Sequence, residues 1–294
     1  MKKQPYKKYL IVIIVCIILI IIAAVISKGN THTPVPDESI SPTIPPSILP
    51  SPTPTPIEDI DTQILDSIDN TPYGWGVVRN KNHTTPQISA DELRILSTYN
   101  SIYHVETQEK ILYLTFNLGY ESGSTEAVLD RLRERNIKAV FFLTGDYVND
   151  VNNASIINRI KDEGHLFGNH GYTHTDYTEL SSEAIVEDYN RLSNVLYEKY
   201  SVDCSYVRPP YCKYSERVVA AGSLLSYKNI FWSIAFDDYG ANKGKDYAYN
   251  TLMNNLHPGA IILIHPTYSG INDYFEDFLD SAMGEGYKFE LLQE

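Results

Sequence analysis

The sequence predicts an α/β chain of mostly parallel strands covered by helices and curling toward a barrel, carried behind an apolar N-terminal span and a proline-rich spacer. Three observations predict it. From Ile111 onward, short apolar runs alternate with segments of helical spacing, an order that gives a mostly parallel sheet with helices outside it. Polar residues stand just after successive runs, at Asn117, Asp146, His170 and Arg208, places that share one face of a parallel barrel. No glycine-rich phosphate loop follows the first run, so a nucleotide-binding open sheet has no support.

In chain order, the first element is a span. Every residue from Leu10 to Ile26 is apolar, and a helix of that length rises roughly 25 Å, close to the thickness of a bilayer core. Lys2, Lys3, Lys7 and Lys8 precede the run and only Lys28 stands soon after it. The positive-inside bias therefore puts residues 1–9 in the cytoplasm and the C-terminal part outside. A cleaved signal peptide needs a small-residue cleavage site, and Ala23-Ala24-Val25-Ile26-Ser27 is a poor one. The expectation is an uncleaved single-pass anchor over 10–27 in the cell membrane. Residues 28–57 follow as a linker, in which THTPVPDESISPTIPPSILPSPTPTP can neither bury a core nor complete a helix. In the polyproline conformation it extends by up to about 3 Å per residue and holds the next domain away from the membrane.

Residues 58–294 form the globular part. Strands are expected at Ile111 to Phe116, Ala139 to Leu143, His165 to Asn169, Cys204 to Val207, Asn229 to Ser233 and Ala260 to Ile264. Helices are expected at Glu126 to Arg135, Ala154 to Glu163 and Ser181 to Tyr200. In the last of these Ser181 is the cap, and Ile185, Tyr189, Leu192 and Leu196 share a face.

The net charge of −13 argues against nucleic acid as a partner, since binding it relies on a basic surface. Of the three cysteines, Cys16 lies inside the apolar run. Cys204 and Cys212 either pair in an oxidising compartment or are two small buried residues. The 23 tyrosines fit sugar-stacking faces and ordinary packing equally.

His170 and His174 stand four residues apart in His170-Gly171-Tyr172-Thr173-His174, a spacing that suits a divalent metal. Gly168-Asn169 precede them, and Arg208-Pro209-Pro210 and Leu263-Ile264-His265-Pro266 follow. This ordered set resembles the polysaccharide deacetylase family, also described as the NodB-type homology domain or carbohydrate esterase family four, from about Ile111 to the C-terminus. Thr115-Phe116-Asn117-Leu118-Gly119 matches the family's Thr-Phe-Asp-Asp-Gly, and His170 to His174 its two-histidine motif. Arg208-Pro209-Pro210-Tyr211-Cys212 matches its Arg-x-Pro-x-Gly, with Cys212 in place of glycine. Phe231-Trp232-Ser233 to Asp238-Tyr239, and Leu263-Ile264-His265, resemble the fourth and fifth motifs. Tyr73-Gly74-Trp75-Gly76 with Arg79-Asn80-Lys81-Asn82-His83, and Tyr120-Glu121, resemble the delta-lactam-forming peptidoglycan N-acetylmuramic acid deacetylases of spore formers.

The resemblance implies a distorted barrel and metal-dependent removal of acetyl from an N-acetylated sugar of peptidoglycan, with a zinc-like ion held by one carboxylate and two histidines. By position, His170 and His174 are the implied ligands, His265 the general acid, Arg208 the residue that orients the base and Asp238 the partner that tunes His265. Trp232 is implied to line the acetyl pocket, with Tyr120, Tyr172, Pro209 and Tyr211 as further substrate contacts.

Asn117 stands at the position of the general base and Leu118 at that of the metal carboxylate. An amide has no useful basicity near neutral pH and an alkyl chain coordinates nothing. The subgroup tolerates asparagine at the second position; loss of the first carboxylate is the more serious. Replacement carboxylates are sought at Asp146, otherwise a helix cap, and at Glu121, otherwise a solvated turn residue. Two functions follow as expectations. One is a metal-dependent amidase on wall glycan with a rebuilt base, and the other a non-catalytic relative that binds glycan in the same cleft.

Overall fold

The strand that organises the fold, β3 (Ile111–Leu118), is buried along its whole length. Successive side chains of a strand point to opposite faces, and here both faces are covered. Leu112, Leu114, Phe116 and Leu118 join the cluster under the helices, whereas Ile111 and Tyr113 join the inner cluster with Val140, Phe142, Ile261 and Leu263. Thr115 and Asn117 continue the inner face.

These coordinates come from a computed structural model, which describes residues 61–79, 82–239, 243–266 and 270–293. The anchor expected at 10–27, the linker at 28–57 and the pair Asn80-Lys81 of the entry segment lie outside the described residues. Among the described residues, no helix is long and apolar enough to cross a membrane.

The described chain opens with α1 (Gln63–Asp66), β1 (Tyr73–Gly74), α2 (Ala90–Thr98) and β2 (Ser101–Ile102), which lead into β3. Next come α3 (Thr125–Glu134), β4 (Val140–Leu143), α4 (Gly145–Asn149), α5 (Ala154–Asp162), β5 (Leu166–Asn169) and α6 (Ser182–Tyr200). The remainder is β6 (Tyr206–Val207), β7 (Lys213–Tyr214), α7 (Glu216–Leu224), β8 (Lys228–Ile230), α8 (Lys245–Asn255), β9 (Ala260–Ile264), α9 (Ile271–Gly284) and β10 (Lys288–Phe289).

The main sheet runs β10-β3-β4-β5-β6-β8-β2 with β9 also on β3, and its pairings are parallel. It curls into a distorted barrel because the chain leaving β8 turns back to β9. Ile234 bridges Ile262, the Ser233 N–H donates to the Ile261 carbonyl at 3.0 Å and the Leu263 N–H to the Ile234 carbonyl at 2.9 Å. This departure explains why the expected strand at Asn229 to Ser233 stops at Ile230. The segment cannot stay in register with β6 and also close on β9.

Where periodicity and capping agree, the helices match expectation. The Ser181 hydroxyl caps α6 by accepting from the Ala184 N–H at 3.2 Å, and Ile185, Tyr189, Leu192 and Leu196 are buried. Helices α2, α7, α8 and α9 were not anticipated. Cys204 and Cys212 are both free thiols.

Two buried histidines couple the fold to pH. Burial, then the neighbouring cations Lys138 and Arg159, hold His165 down at about 4, and burial holds His257 at about 4. A group whose folded pKa lies below its unfolded value binds more protons when unfolded, so stability falls as pH drops through the interval between the two. Denaturant titrations are expected to lose on the order of 1–3 kcal/mol per histidine between about pH 6.5 and 4. Constant stability across that interval contradicts the assignment of both as buried neutral rings.

Candidate functional site

The ends of the parallel strands on one side of the barrel bring together most of the residues singled out by sequence. A cavity of about 510 Å³ is lined by Asn117, Tyr120, Asp146, His170, His174, Arg208, Pro209, Tyr211, Trp232 and His265. Gly119, Thr144, Cys212 and Tyr239 complete its wall.

At its floor lies a three-residue lock. The His170 Nδ1 lies 2.7 Å from the Arg208 carbonyl, an acceptor only, so Nδ1 carries the proton and Nε2 presents a lone pair. The Asn117 amide nitrogen donates to that Nε2 at 3.0 Å. The Asn117 Oδ1 accepts from Arg208 Nη1 at 2.8 Å. One amide thus satisfies an acceptor and a donor at once, a pairing that a carboxylate makes only if His170 takes a proton or binds a cation. Burial and then the adjacent His174 hold His170 well below the usual imidazole range, in keeping with a neutral ring.

Arg208 is 1% exposed. Its Nε donates to the Ile230 carbonyl at 2.9 Å and Nη2 to the Thr115 hydroxyl at 2.9 Å, and its plane stacks on Phe142, 4.1 Å from the ring centroid. Each of these acceptors is neutral. Burial without a carboxylate partner lowers the guanidinium to about 9, still charged at neutral pH.

Leu118 is fully buried in the outer cluster. The period of the strand turns it away from the cavity that Asn117 faces. A metal ion therefore finds two imidazoles, of which one already accepts a hydrogen bond at its free nitrogen, and at the cavity wall only the exposed Asp146. Among the described residues, no group of three or more His, Cys, Asp or Glu side chains could hold a metal ion. The residues present do not fit the expected zinc-like ion.

The loop that carries the histidines is held from behind by Asp188 of α6, 6% exposed. Its carboxylate accepts from the Tyr172 N–H at 2.7 Å, the Thr173 N–H at 3.0 Å, the Thr173 hydroxyl at 2.7 Å and the Tyr177 hydroxyl at 2.5 Å. Gly171 sits at φ +82°, and a Cβ there would meet the Tyr177 hydroxyl at 2.5 Å. Sequence reading missed Asp188, although a signal existed: position 188 falls on the same apolar stripe as Ile185, Tyr189 and Leu192.

On the opposite wall, Asp238 accepts from His265 twice, at Nδ1 and at the backbone N–H, both at 2.7 Å. His265 thereby turns its Nε2 edge to the cavity. Tyr211 and Cys212 adopt left-handed backbone, φ 59° and 58°, which costs a non-glycine residue roughly 1–2 kcal/mol. The Tyr211 ring lies against His174, centroids 4.8 Å apart.

Two expected contacts lie elsewhere. Tyr172 is outside the cavity, its ring under the Arg191 guanidinium at 3.8 Å and its hydroxyl accepting from the Asn149 amide at 2.9 Å, because the bonds from Asp188 fix its backbone toward α6. Glu121 turns into its own loop, where it accepts from the Ser122 and Gly123 N–H groups and from the Tyr147 hydroxyl at 2.9 Å. Burial pushes its carboxyl up, but hydrogen bonds from Thr125, Tyr147 and Gly123 outweigh this and leave it below the ordinary value. It is no replacement base. Asp146 lines the cavity but is exposed in the first turn of α4, and the cap of that helix is Thr144, which accepts from the Tyr147 N–H at 3.3 Å.

Residues 104–230 match the family model of polysaccharide deacetylase. The chain is 34% identical over 232 residues, 78% of its length and 88% of the relative's, to the peptidoglycan-N-acetylmuramic acid deacetylase PdaA of Bacillus subtilis (strain 168). The chain belongs to the polysaccharide deacetylase family. An uncharacterized 30.6 kDa protein of Geobacillus stearothermophilus is 36% identical over 231 residues, 78% of this chain and 86% of its own. Among solved structures, that of B. subtilis PdaA, a family 4 carbohydrate esterase, is similar with a TM-score of 0.73 and 34% identity over 76% of this chain and 96% of its own. A family 4 pseudoenzyme from Bacillus anthracis is 26% identical with a TM-score of 0.61, over 65% of this chain and 66% of its own. A mutant of that pseudoenzyme is described as having restored enzymatic activity. Within this member of the family, the lock around Asn117 stands where the expected first carboxylate would be.

In Asn117→Asp, His170 Nε2 faces an oxygen instead of an N–H, while Arg208 gains a charged partner. The His170 pKa, followed by NMR titration, is expected to rise relative to the native chain. An unmoved His170 titration is incompatible with the lock.

Proposed function

We propose that this protein holds N-acetylated cell-wall glycan, of the peptidoglycan type, in the cleft of a deacetylase fold whose hydrolytic centre has been replaced by a neutral hydrogen-bonded lock. The observation that carries the proposal is the Asn117 amide bonded to both His170 Nε2 and Arg208. Hydrolysis of an amide needs a group that takes the proton of the attacking water, and Asn117 is not basic. Loss of such a base typically removes ~10²–10⁴-fold of rate. The metal that would lower the pKa of that water also lacks its carboxylate ligand.

Binding features remain in place. Trp232, Pro209 and the exposed rings of Tyr120, Tyr211 and Tyr239 border the cavity, and aromatic faces of this kind pack on sugar rings. The peptidoglycan-type ligand rests on the relatives, two of which are named as peptidoglycan deacetylases of N-acetylmuramic acid and of N-acetylglucosamine. The place is the outer side of the cell membrane, on the strength of the lysine-flanked apolar run at 10–27 and the spacer at 28–57.

A second reading, slow metal-assisted deacetylation, is favoured by one observation: the His265–Asp238 pair is intact at 2.7 Å and is the unit that protonates a leaving amine. It needs Asp146 to serve as base, since Glu121 is turned away.

Amine release from peptidoglycan fragments, followed with zinc, with cobalt and with a chelator, separates the two. The native full-length chain is expected to bind the fragments and to release no amine above the chelated control under any condition. Metal-dependent release by the native chain that is lost in Asp146→Asn would replace the holding role with the rebuilt-base enzyme.

A further inference from the structure

The cavity at the strand ends is not closed on the side of His265. A second hollow of about 230 Å³ shares Cys212, Trp232, Tyr239 and His265 with it and continues to Trp75, Phe236, Asp237 and Arg79. A third, of about 410 Å³, takes over at Arg79 and runs along α8 past Tyr247, Asn250, Thr251 and Asn254. The shared residues line the three hollows up in sequence, with Arg79 at the junction of the second and third.

We infer that this track receives the acidic substituent of a muramic-type glycan and that Arg79 reads its carboxylate. The inference rests on the glycan-holding role proposed above and names the chemistry of the ligand. Arg79 is exposed, and one arm of its guanidinium is fixed, with Nη2 donating to the Ala235 carbonyl at 2.8 Å. The remaining N–H groups keep the planar fork that matches a carboxylate. Among the described residues that line the second and third hollows, it is the one lysine or arginine.

The acidic groups near it do not cancel it evenly. Asp237, in the second hollow, is paired with Lys243 Nζ at 2.7 Å. Asp246, in the third, stands in the first turn of α8, where the helix dipole favours a negative charge. Arg79 is thus the cation that the junction of the two hollows offers to a carboxylate, while Asp246 is the acidic group of the third hollow.

The walls on either side suit the body of such a ligand. Trp75 donates from Nε1 to the Trp232 carbonyl at 3.0 Å, which ties the second hollow to the wall of the first. Asn250 and Asn254 stand four residues apart on one side of α8 and offer amide donors and acceptors to sugar hydroxyls or peptide groups.

Such a carboxylate has two sources in a muramic-type glycan, the lactyl ether of the sugar itself or a peptide attached to it. Calorimetry on the full-length chain distinguishes them with four probes: a neutral N-acetylglucosamine tetramer, an alternating tetramer with N-acetylmuramic acid and free lactyl carboxylates, the same tetramer with those carboxylates amidated, and one with stem peptides. The free-carboxylate tetramer is expected to bind at least tenfold more tightly than the neutral one. Amidation is expected to abolish that preference, and Arg79→Gln to abolish it without changing the neutral tetramer's Kd. A preference seen only with stem peptides, and lost in Arg79→Gln, assigns the carboxylate to the peptide. Equal affinity for neutral and acidic tetramers, or a preference that survives Arg79→Gln, overturns the role of Arg79 and leaves glycan holding intact. If no tetramer binds, glycan holding and the role of Arg79 fall together.

Discussion

The site depends on one side chain having two faces. The Asn117 amide gives a hydrogen to His170 and receives one from Arg208, so its separate donor and acceptor ends satisfy a neutral imidazole lone pair and a buried guanidinium together. An aspartate faces His170 with a second acceptor and needs a proton or a cation between them. A leucine leaves the Arg208 N–H and the His170 Nε2 both unpaired, at a cost of about 1–3 kcal/mol for each buried group. Asparagine is the residue with which this floor stands alone, without an ion.

That self-sufficiency has a cost elsewhere. Arg208 keeps its charge while almost wholly buried, with carbonyl, hydroxyl and amide acceptors and two aromatic rings but no carboxylate bonded to it. An uncompensated buried charge is tolerated only where the geometry around it is tight, and here β3, β6, β8 and β4 each contribute a wall or an acceptor. The barrel is in this sense built around Arg208, and Asn117 is the nearest that an uncharged side chain comes to a counterion.

The barrel was legible because its strands carry their own signal. Ile111 to Phe116, Ala139 to Leu143 and Ala260 to Ile264 are continuous apolar runs, as strands buried on both faces must be, and the polar residue after each run points to the shared end. The cavity followed from that placement together with the motif order. Less legible were elements whose signal is spread out. Helix α2 announces itself only through the Ser89–Glu92 capping box, and α8 has few buried residues, Ala248, Leu252 and Met253, so its periodicity is faint. Tyr172 and Glu121 were misplaced because motif position fixes a residue's place in the chain but not its side-chain direction. Asp188 and the backbone N–H groups of the 122–125 turn decide those directions, and neither belongs to a motif.

The contrast between Asn117 and Leu118 explains why the two replaced positions differ in consequence. Adjacent residues of a strand face opposite ways, so Asn117 faces the polar floor and Leu118 the helices, where Val128, Leu129, Leu143 and Tyr147 share its cluster. Restoring a carboxylate at 117 changes only the contacts to His170 and Arg208 within the polar floor. Restoring one at 118 buries an unpaired charge in an apolar cluster, or twists the end of β3 to bring it round, and either disturbs the packing of α3 and α4. A carboxylate at 117 is therefore a local change, whereas one at 118 requires remodelling the strand end. The two replaced positions thus differ in kind, one a change within the polar floor and the other a change in the packing beneath the helices, and the polar lock is the arrangement to which the present packing is fitted.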